Sequence, residues 1–310
     1  MPSADKGAVV FLVGPSGAGK SDLTVALALR LGGEIVSADS RLLYRGFDIG
    51  TDKPSSSVRS RVQHHLIDVT DPDKPWSLAE YQAAAQQSIA EIQARGRLPL
   101  CVGGTGQYVF ALLEGWDIPP AAPSPELRLR LEERAAAEGL AALTDELARL
   151  DPSAAAGIDA RNPRRVIRAL EVVLSTGKPF SAQRTRREVP FRSFLIGLNR
   201  PRPELYSLAD ARIDRMFQTG WVEEVRGLLR KGYSPSLPAF SALGYGSIVR
   251  HLQGDLTLDE CVAEIRRATR ILIRRQANWF RPGDAQIHWL TAGPDMVDQA
   301  EQLIRLNGAV

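Results

Sequence analysis

The sequence predicts an α/β fold, a parallel sheet core interrupted by a mainly helical insertion. Short apolar, β-branched runs alternate with amphipathic helical stretches up to Gly115. Beyond it, Pro119, Pro120, Pro123 and Pro125 form a stiff linker into long Ala-, Leu-, Arg- and Glu-rich sequence. The run Phe194-Leu-Ile-Gly-Leu then returns to strand character. Strand–helix alternation is the signature of a parallel sheet covered by crossover helices. Helical sequence lodged between two such halves reads as an insertion.

Ala8 to Val13 is a buried-strand run, and Gly14 to Lys20 is a Gly-rich turn. Ser21 to Leu31 carries Leu23, Leu27 and Leu31 at four-residue steps, a helix stopped by Gly32-Gly33. Glu34 to Ala38 reads as a second strand running into Asp39, Leu78 to Ala94 as a helix, and Leu98 to Val102 as a third strand that delivers Gly103-Gly104-Thr105. The linker leads into helix through Leu150, and a further helix runs from about Pro163 to Ser175. From Pro203 the chain is helical, with loops at 232–247 and a late strand at 286–290. Residues 119–192 are the expected insertion, and 1–118 with 193–310 the expected core.

At 310 residues, with 44% apolar and 24% charged residues, the composition is that of a globular protein with room for a large core. No run approaches the roughly 20 apolar residues of a membrane span, and Met1 to Gly7 is too short and polar for a signal peptide. Cys101 and Cys261 have no metal-ligand spacing and indicate no disulfide framework, which points to the cytoplasm. A net charge of +3 permits a nucleic-acid partner without requiring one.

Gly14-Pro15-Ser16-Gly17-Ala18-Gly19-Lys20-Ser21 fits G-x-x-x-x-G-K-[ST], with a strand before it and a helix after it. The glycines let backbone N–H groups wrap an anion, and the helix N-terminus adds partial positive charge. Lys20 reaches terminal phosphates, and the Ser21 hydroxyl is placed for Mg²⁺. This makes the sheet a P-loop NTPase-like core. The motif calls for a polyphosphate but does not choose one, and a kinase or NTPase is its commonest owner. Asp39 follows a strand at the sheet's C-terminal edge, where α/β folds hold ligands. There it suits a general base, a Mg²⁺ ligand or a helix cap.

Further blocks are more specific: Asp39-Ser40-Arg41-Leu42-Leu43-Tyr44, Gly46 to Pro54, His64-His65-Leu66-Ile67-Asp68, Gly103 to Tyr108, and Arg164-Arg165-Val-Ile-Arg168-Ala-Leu-Glu171. In this order, from Val10 to about Arg281, the chain closely resembles the bacterial tRNA dimethylallyltransferases, the tRNA adenosine isopentenyltransferases. The resemblance implies that the P-loop holds the diphosphate of dimethylallyl diphosphate. It also implies that Lys20, Thr105 and Arg215 neutralise the departing pyrophosphate with Mg²⁺, and that Asp39 is the base for the adenine amine. Asp39, Ser40, Arg41 and Leu42, with Thr105, would hold an adenosine flipped out of its stack. Further tRNA contacts are implied at Arg128, Arg164, Arg165 and Arg168, and at Arg274, Arg275, Gln276, Trp279 and Arg281.

The last of these segments has support from its own periodicity. On a helix over 258–281, Arg267, Arg270, Arg274 and Arg281 fall within about a sixth of the wheel. Cys261, Val262, Ile265, Leu272, Gln276 and Trp279 are expected opposite, packed. No acid follows Glu264 until Asp284, as suits phosphate contacts. Ser241 and Gly246 stand where the resemblance leads one to expect arginines, and Arg250 is the neighbouring candidate to replace them. Adjacent His64 and His65 point to opposite faces of an extended segment and make a poor chelate; one is expected packed, the other hydrogen-bonded near the substrate. The resulting expectation is a monomer that uses tRNA and dimethylallyl diphosphate, with Mg²⁺ and without a membrane. A relative that prenylates AMP or ADP, or a P-loop kinase, are the rivals.

Overall fold

The computed structural model describes residues 6–118, 124–183 and 185–309, of Pro125 the backbone only. Strand β1 (Ala8–Val13) leads through the Gly-rich loop into helix α1 (Lys20–Leu31), then β2 (Glu34–Ser37), α2 (Ser56–Arg59) and β3 (His64–His65). Helix α3 (Leu78–Ala94) opens on a capping box in which Ser77 and Glu80 satisfy each other's backbone N–H. Strand β4 (Pro99–Val102) and α4 (Gly106–Leu113) complete the first half.

The chain then enters a separate compact unit, Glu114–Glu188, made of β5 (Trp116–Asp117), α5 (Pro125–Glu138), α6 (Leu140–Leu150), α7 (Pro152–Gly157), α8 (Pro163–Thr176) and β6 (Thr185–Arg186). Its core gathers Leu131, Leu143, Leu147, Ala154, Val166, Leu170 and Val173 from the four helices. Glu171 is fully buried beside that core. Its carboxylate accepts from Ser124 N at 2.9 Å and pairs with Arg128 at 2.8 Å and Arg168 at 2.9 Å. Removing it strands the backbone donor and two charges. Glu171→Ala is expected to cost this unit about 3 kcal/mol, the low end for a broken buried pair because both arginines are partly exposed. Thermal unfolding of the variant checks this.

Strand β7 (Arg192–Asn199) returns to the first unit, followed by α9 (Arg202–Gln218), α10 (Trp221–Arg230), α11 (Tyr245–Gln253), α12 (Leu258–Trp279), β8 (Ile287–Thr291) and α13 (Met296–Leu306). The six strands stand in the order β3-β2-β4-β1-β7-β8, and every pairing is parallel. Central β1 therefore has β4 on one side and β7 on the other. One core layer under the sheet packs Phe11, Tyr81, Ile89 and Leu112, and the other packs Leu12, Leu23, Leu27, Leu198 and Ile304. A third cluster, built on Phe47, Trp221, Phe240, Tyr245 and Ile265, joins the segment after β2 to the C-terminal helices.

Candidate active site

The C-terminal ends of β1, β2 and β4 release three loops along one edge of the sheet. Gly14 has φ +133°, and a Cβ there would strike the Leu198 carbonyl on β7, so the first turn of the cradle admits only glycine. Helix α1 starts with no side-chain cap, which leaves its first N–H groups free for an anion. Lys20 donates to the Pro15 carbonyl at 2.8 Å. Burial draws its ammonium down to about 8, with Arg212 adding to the shift and Asp39 opposing it. It is still charged at neutral pH, and both named groups lie within its field.

Asp39 and Thr105 come together across neighbouring loops. Gly103 lies so close to the Ala38 carbonyl that no Cβ fits between them. Thr105 Oγ1 accepts from Ser40 N at 3.2 Å, and Asp39 Oδ1 accepts from Arg41 N at 2.8 Å. Asp39 Oδ2 has no hydrogen-bond partner among the described residues, so one carboxylate oxygen is open for a substrate N–H. Arg41 reaches the Pro238 carbonyl at 3.3 Å, and Leu42 accepts from Asp68 N at 3.0 Å through its own carbonyl. Arg215 is exposed on α9, and its side chain makes no hydrogen bond or ion pair among the described residues. Arg212, one turn earlier on the same side, is the guanidinium whose charge reaches Lys20. Nothing in the sequence marks it out from other helical arginines. The same holds for Arg200, whose Nε donates to the Ala18 carbonyl at 3.3 Å.

Gln276 lies on the packed side of its helix, where its wheel position puts it. It is buried, and its amide bridges two loops of the site: Oε1 accepts from Ser16 N at 2.7 Å, and Nε2 donates to the Gly104 carbonyl at 3.2 Å. A side-chain amide supplies a donor and an acceptor on separate atoms, so it can tie both loops at once. Gln276→Ala leaves Ser16 N and Gly104 C=O unpaired and the phosphate loop untied. We expect the KM for dimethylallyl diphosphate to rise about tenfold, matching about 1–3 kcal/mol for orphaned polar groups. Steady-state kinetics at saturating tRNA checks it.

Helix α12, capped by a Thr257–Glu260 box, turns Cys261, Ile265, Thr269, Ile273 and Gln276 inward. The packed face is thus rotated from the one predicted, and Leu272 and Trp279 are exposed at 38% and 37%. The wheel placed them inward because Leu and Trp are apolar, whereas Thr269 buries by donating to the Ile265 carbonyl at 2.9 Å. Trp279 lies over Gly106 and beside Phe110, with ring centroids 5.6 Å apart. Arg267, Arg274, Arg275 and Arg281 are exposed and carry no side-chain partner among the described residues. Arg270 does not belong with them, because it pairs with Asp210 at 2.6 Å and lies over the Tyr206 ring.

In the inserted unit Arg164 and Arg165 are exposed at the start of α8, while Arg128 and Arg168 are committed to Glu171. Ser241 and Gly246 are both exposed, and Arg250 pairs with Glu264 at 3.0 Å, so it is no free substitute for the missing arginines. His64 and His65 bond to protein groups rather than standing open to a substrate. His65 bonds Glu34 at 2.7 Å, where Arg95 also pairs, at the N-terminal end of β2; His64 bonds the Val62 carbonyl. Strand β3 is only two residues long, and its register against Ile35 and Val36 fixes that placement.

The chain matches the IPP transferase family over residues 42–283. A tRNA dimethylallyltransferase of Chloroflexus aurantiacus (strain J-10-fl) is 54% identical over 273 residues, 88% of this chain and 92% of that protein. One from Roseiflexus sp. (strain RS-1) is 47% identical over 297 residues, 96% of this chain and 97% of its own. The crystal structure of the full-length tRNA isopentenylpyrophosphate transferase of Bacillus halodurans is 36% identical, with a TM-score of 0.72 over 97% of this chain and 96% of that one. A eukaryotic dimethylallyltransferase solved acting on tRNA has the same fold, with a TM-score of 0.80 at 22% identity over 97% of this chain and 79% of that one. With its phosphate loop, its open carboxylate and these relatives over nearly its whole length, the chain belongs to the IPP transferase family, the tRNA dimethylallyltransferases.

Proposed function

We propose that this chain transfers a dimethylallyl group from dimethylallyl diphosphate to N6 of the adenosine immediately 3′ of the anticodon in tRNA, releasing pyrophosphate. One observation carries the reading: a phosphate loop with its ammonium and a carboxylate with a free oxygen, Lys20 and Asp39, follow parallel strands β1 and β2 at the same edge of the sheet. A kinase needs the first of these, and attack by an amine on an allylic carbon needs both. The phosphate cradle, residues 14 to 21, binds the diphosphate through backbone N–H groups. Asp39 Oδ2 accepts a hydrogen bond from the exocyclic amine and takes its proton as nitrogen bonds to the allylic carbon. The bond from that carbon to the diphosphate oxygen breaks with its electron pair going to oxygen. Lys20, Thr105 and Arg215 meet that charge with a hydroxyl and two cations.

Ser21 suits Mg²⁺. It is exposed at the start of α1, and its hydroxyl makes no hydrogen bond among the described residues. No cluster of three acidic, His or Cys side chains forms a preformed metal site there, again among the described residues. A hard oxygen ligand beside substrate phosphates is how Mg²⁺ is usually held. Mg²⁺ so bound would supply positive charge to the leaving group. The protein acts in the cytoplasm, in keeping with two buried cysteines outside any disulfide, and works as a monomer. No helix among the described residues is long and apolar enough to cross a membrane.

The test is incubation with radiolabelled dimethylallyl diphosphate and either tRNA, AMP or ADP. Label is expected in tRNA alone. Label in AMP or ADP, or RNA-stimulated ATP hydrolysis without transfer, overturns the reading. The tRNA face has its own prediction. Arg267→Glu with Arg274→Glu breaks no ion pair among the described residues, unlike any change at Arg270. Each lost phosphate contact should weaken tRNA binding and flatten the log affinity against log salt plot by about 0.7 to 0.9. Affinity for dimethylallyl diphosphate should not change.

A further inference from the structure

Two tyrosines stand face to face close to the strand end that delivers Asp39. Tyr81 on α3 and Tyr108 on α4 stack with ring centroids 3.7 Å apart and planes 15° from parallel. Tyr81 is fully buried and satisfied. Its hydroxyl donates to the Ser37 carbonyl at 3.2 Å, at the end of β2 and two residues before Asp39. Tyr108 is only 7% exposed, yet its hydroxyl makes no hydrogen bond among the described residues. A buried hydroxyl without a partner is costly, and few such groups persist in native proteins without a reason.

The hydroxyl belongs to the site by position. Tyr108 lies three residues beyond Thr105, in the first turn of α4, and its N–H donates to the Thr105 carbonyl at 2.9 Å. The polar groups within the field of its hydroxyl are Tyr44, Arg41, Asp39 and Glu80. Three of them are engaged elsewhere. Glu80 accepts from Ser77 N at 2.7 Å, Arg41 reaches the Pro238 carbonyl, and the backbone of Trp76 holds the Tyr44 hydroxyl. Asp39 spends one oxygen on Arg41 N and keeps the other open. An open acceptor and an open donor thus share one site without bonding each other. Burial pushes the Tyr108 pKa well above the ordinary tyrosine value, with Tyr44 and Asp39 adding to the shift and Arg41 opposing it. The group therefore remains a neutral O–H, able to donate.

We infer that the Tyr108 hydroxyl donates to an adenine ring nitrogen beside the amine that Asp39 accepts, and so reads and orients the target base. This rests on the proposed prenyl-transfer reading. Adenine carries an N6–H donor flanked by two acceptors, N7 and N1, so an open acceptor and an open donor in the protein match it on either flank. Guanine fails the same pair, because it presents the acceptor O6 where adenine has its amine. The stack on Tyr81 holds the Tyr108 ring in one plane, so the hydroxyl is set before the base arrives and little freedom is lost on binding.

The experiment compares the intact wild type with Tyr108→Phe on tRNA carrying adenosine, 7-deazaadenosine or 1-deazaadenosine at the target position. It measures kcat/KM and the dissociation constant for each. Phenylalanine keeps the stack on Tyr81 and removes one oxygen. With adenosine the variant should lose about 3- to 10-fold in both quantities, the range of one neutral hydrogen bond. With the deaza base that lacks the contacted nitrogen, wild type and variant should be equal, and with the other the gap should persist. The KM for dimethylallyl diphosphate should not change. The melting temperature should hold or rise, because the oxygen removed has no partner among the described residues. Wild-type kcat/KM and affinity of Tyr108→Phe for the adenosine substrate overturn the inference. So does an equal loss on all three bases, the mark of a structural hydroxyl, which a lowered melting temperature would accompany. If the wild type binds these tRNAs but transfers no prenyl group, the transfer reading falls, and the pattern of dissociation constants alone decides the contact.

Discussion

Lys20→Ala is expected to reduce prenyl transfer to tRNA by about 10³-fold or more, beyond what losing one oxyanion donor costs, because a full charge is removed from the leaving group. Lys20 sits in a loop whose other donors are backbone N–H groups, so no neighbouring side chain replaces it at that position. The effect belongs to both binding and chemistry, because pyrophosphate gains charge as the allylic bond breaks. Weaker binding of dimethylallyl diphosphate should accompany the slower single-turnover rate, while affinity for tRNA remains. The wild-type protein should show no RNA-stimulated ATP hydrolysis. Robust hydrolysis that disappears in Lys20→Ala would return the loop to the nucleoside triphosphates.

Asp39→Asn should leave tRNA and dimethylallyl diphosphate bound while lowering the single-turnover rate about 10²- to 10⁴-fold, the usual span for a general base. Asparagine retains an oxygen for Arg41 N, so the loop at Asp39 to Leu42 should keep its turn. What it lacks is a second oxygen able to take a proton. If the rate is near normal but its dependence on Mg²⁺ has vanished, Asp39 is a metal ligand and the base lies elsewhere.

The sheet was legible because its strands are nearly continuous apolar runs with Gly or a polar residue at each exit. Val10 to Val13 and Leu98 to Cys101 leave little choice of element, and Leu78–Ala94 is delimited by its own capping box. The two-residue strands at His64, Trp116 and Thr185 were not legible, because a strand that short exists only through its partner. The same division holds within the site. Asp39 and the loop at Gly14 follow strands and announce themselves by position. Arg212 looks like any arginine on an amphipathic helix until Asp52, 160 residues away in sequence, is found beside it. Gln276 was placed on the packed side by its wheel position, but the partners it meets there were not legible. A 22-residue helix can show which way an amide faces and not what it will bond, and the answer lay in the backbone N–H of Ser16.

That bond between Ser16 and Gln276 bears on how the protein comes into being. The motif is among the first parts of the chain to leave the ribosome, yet one wall of its loop is the Leu198 carbonyl and its tie is residue 276. Until α12 has emerged, β1 lacks its β7 neighbour or the loop lacks its tether, so nascent chains carry the motif without the cradle. Contacts of such long sequence separation form late and slowly. A fragment that stops before α12 is therefore expected to fold its first strands and still bind pyrophosphate poorly, however intact its eight motif residues are.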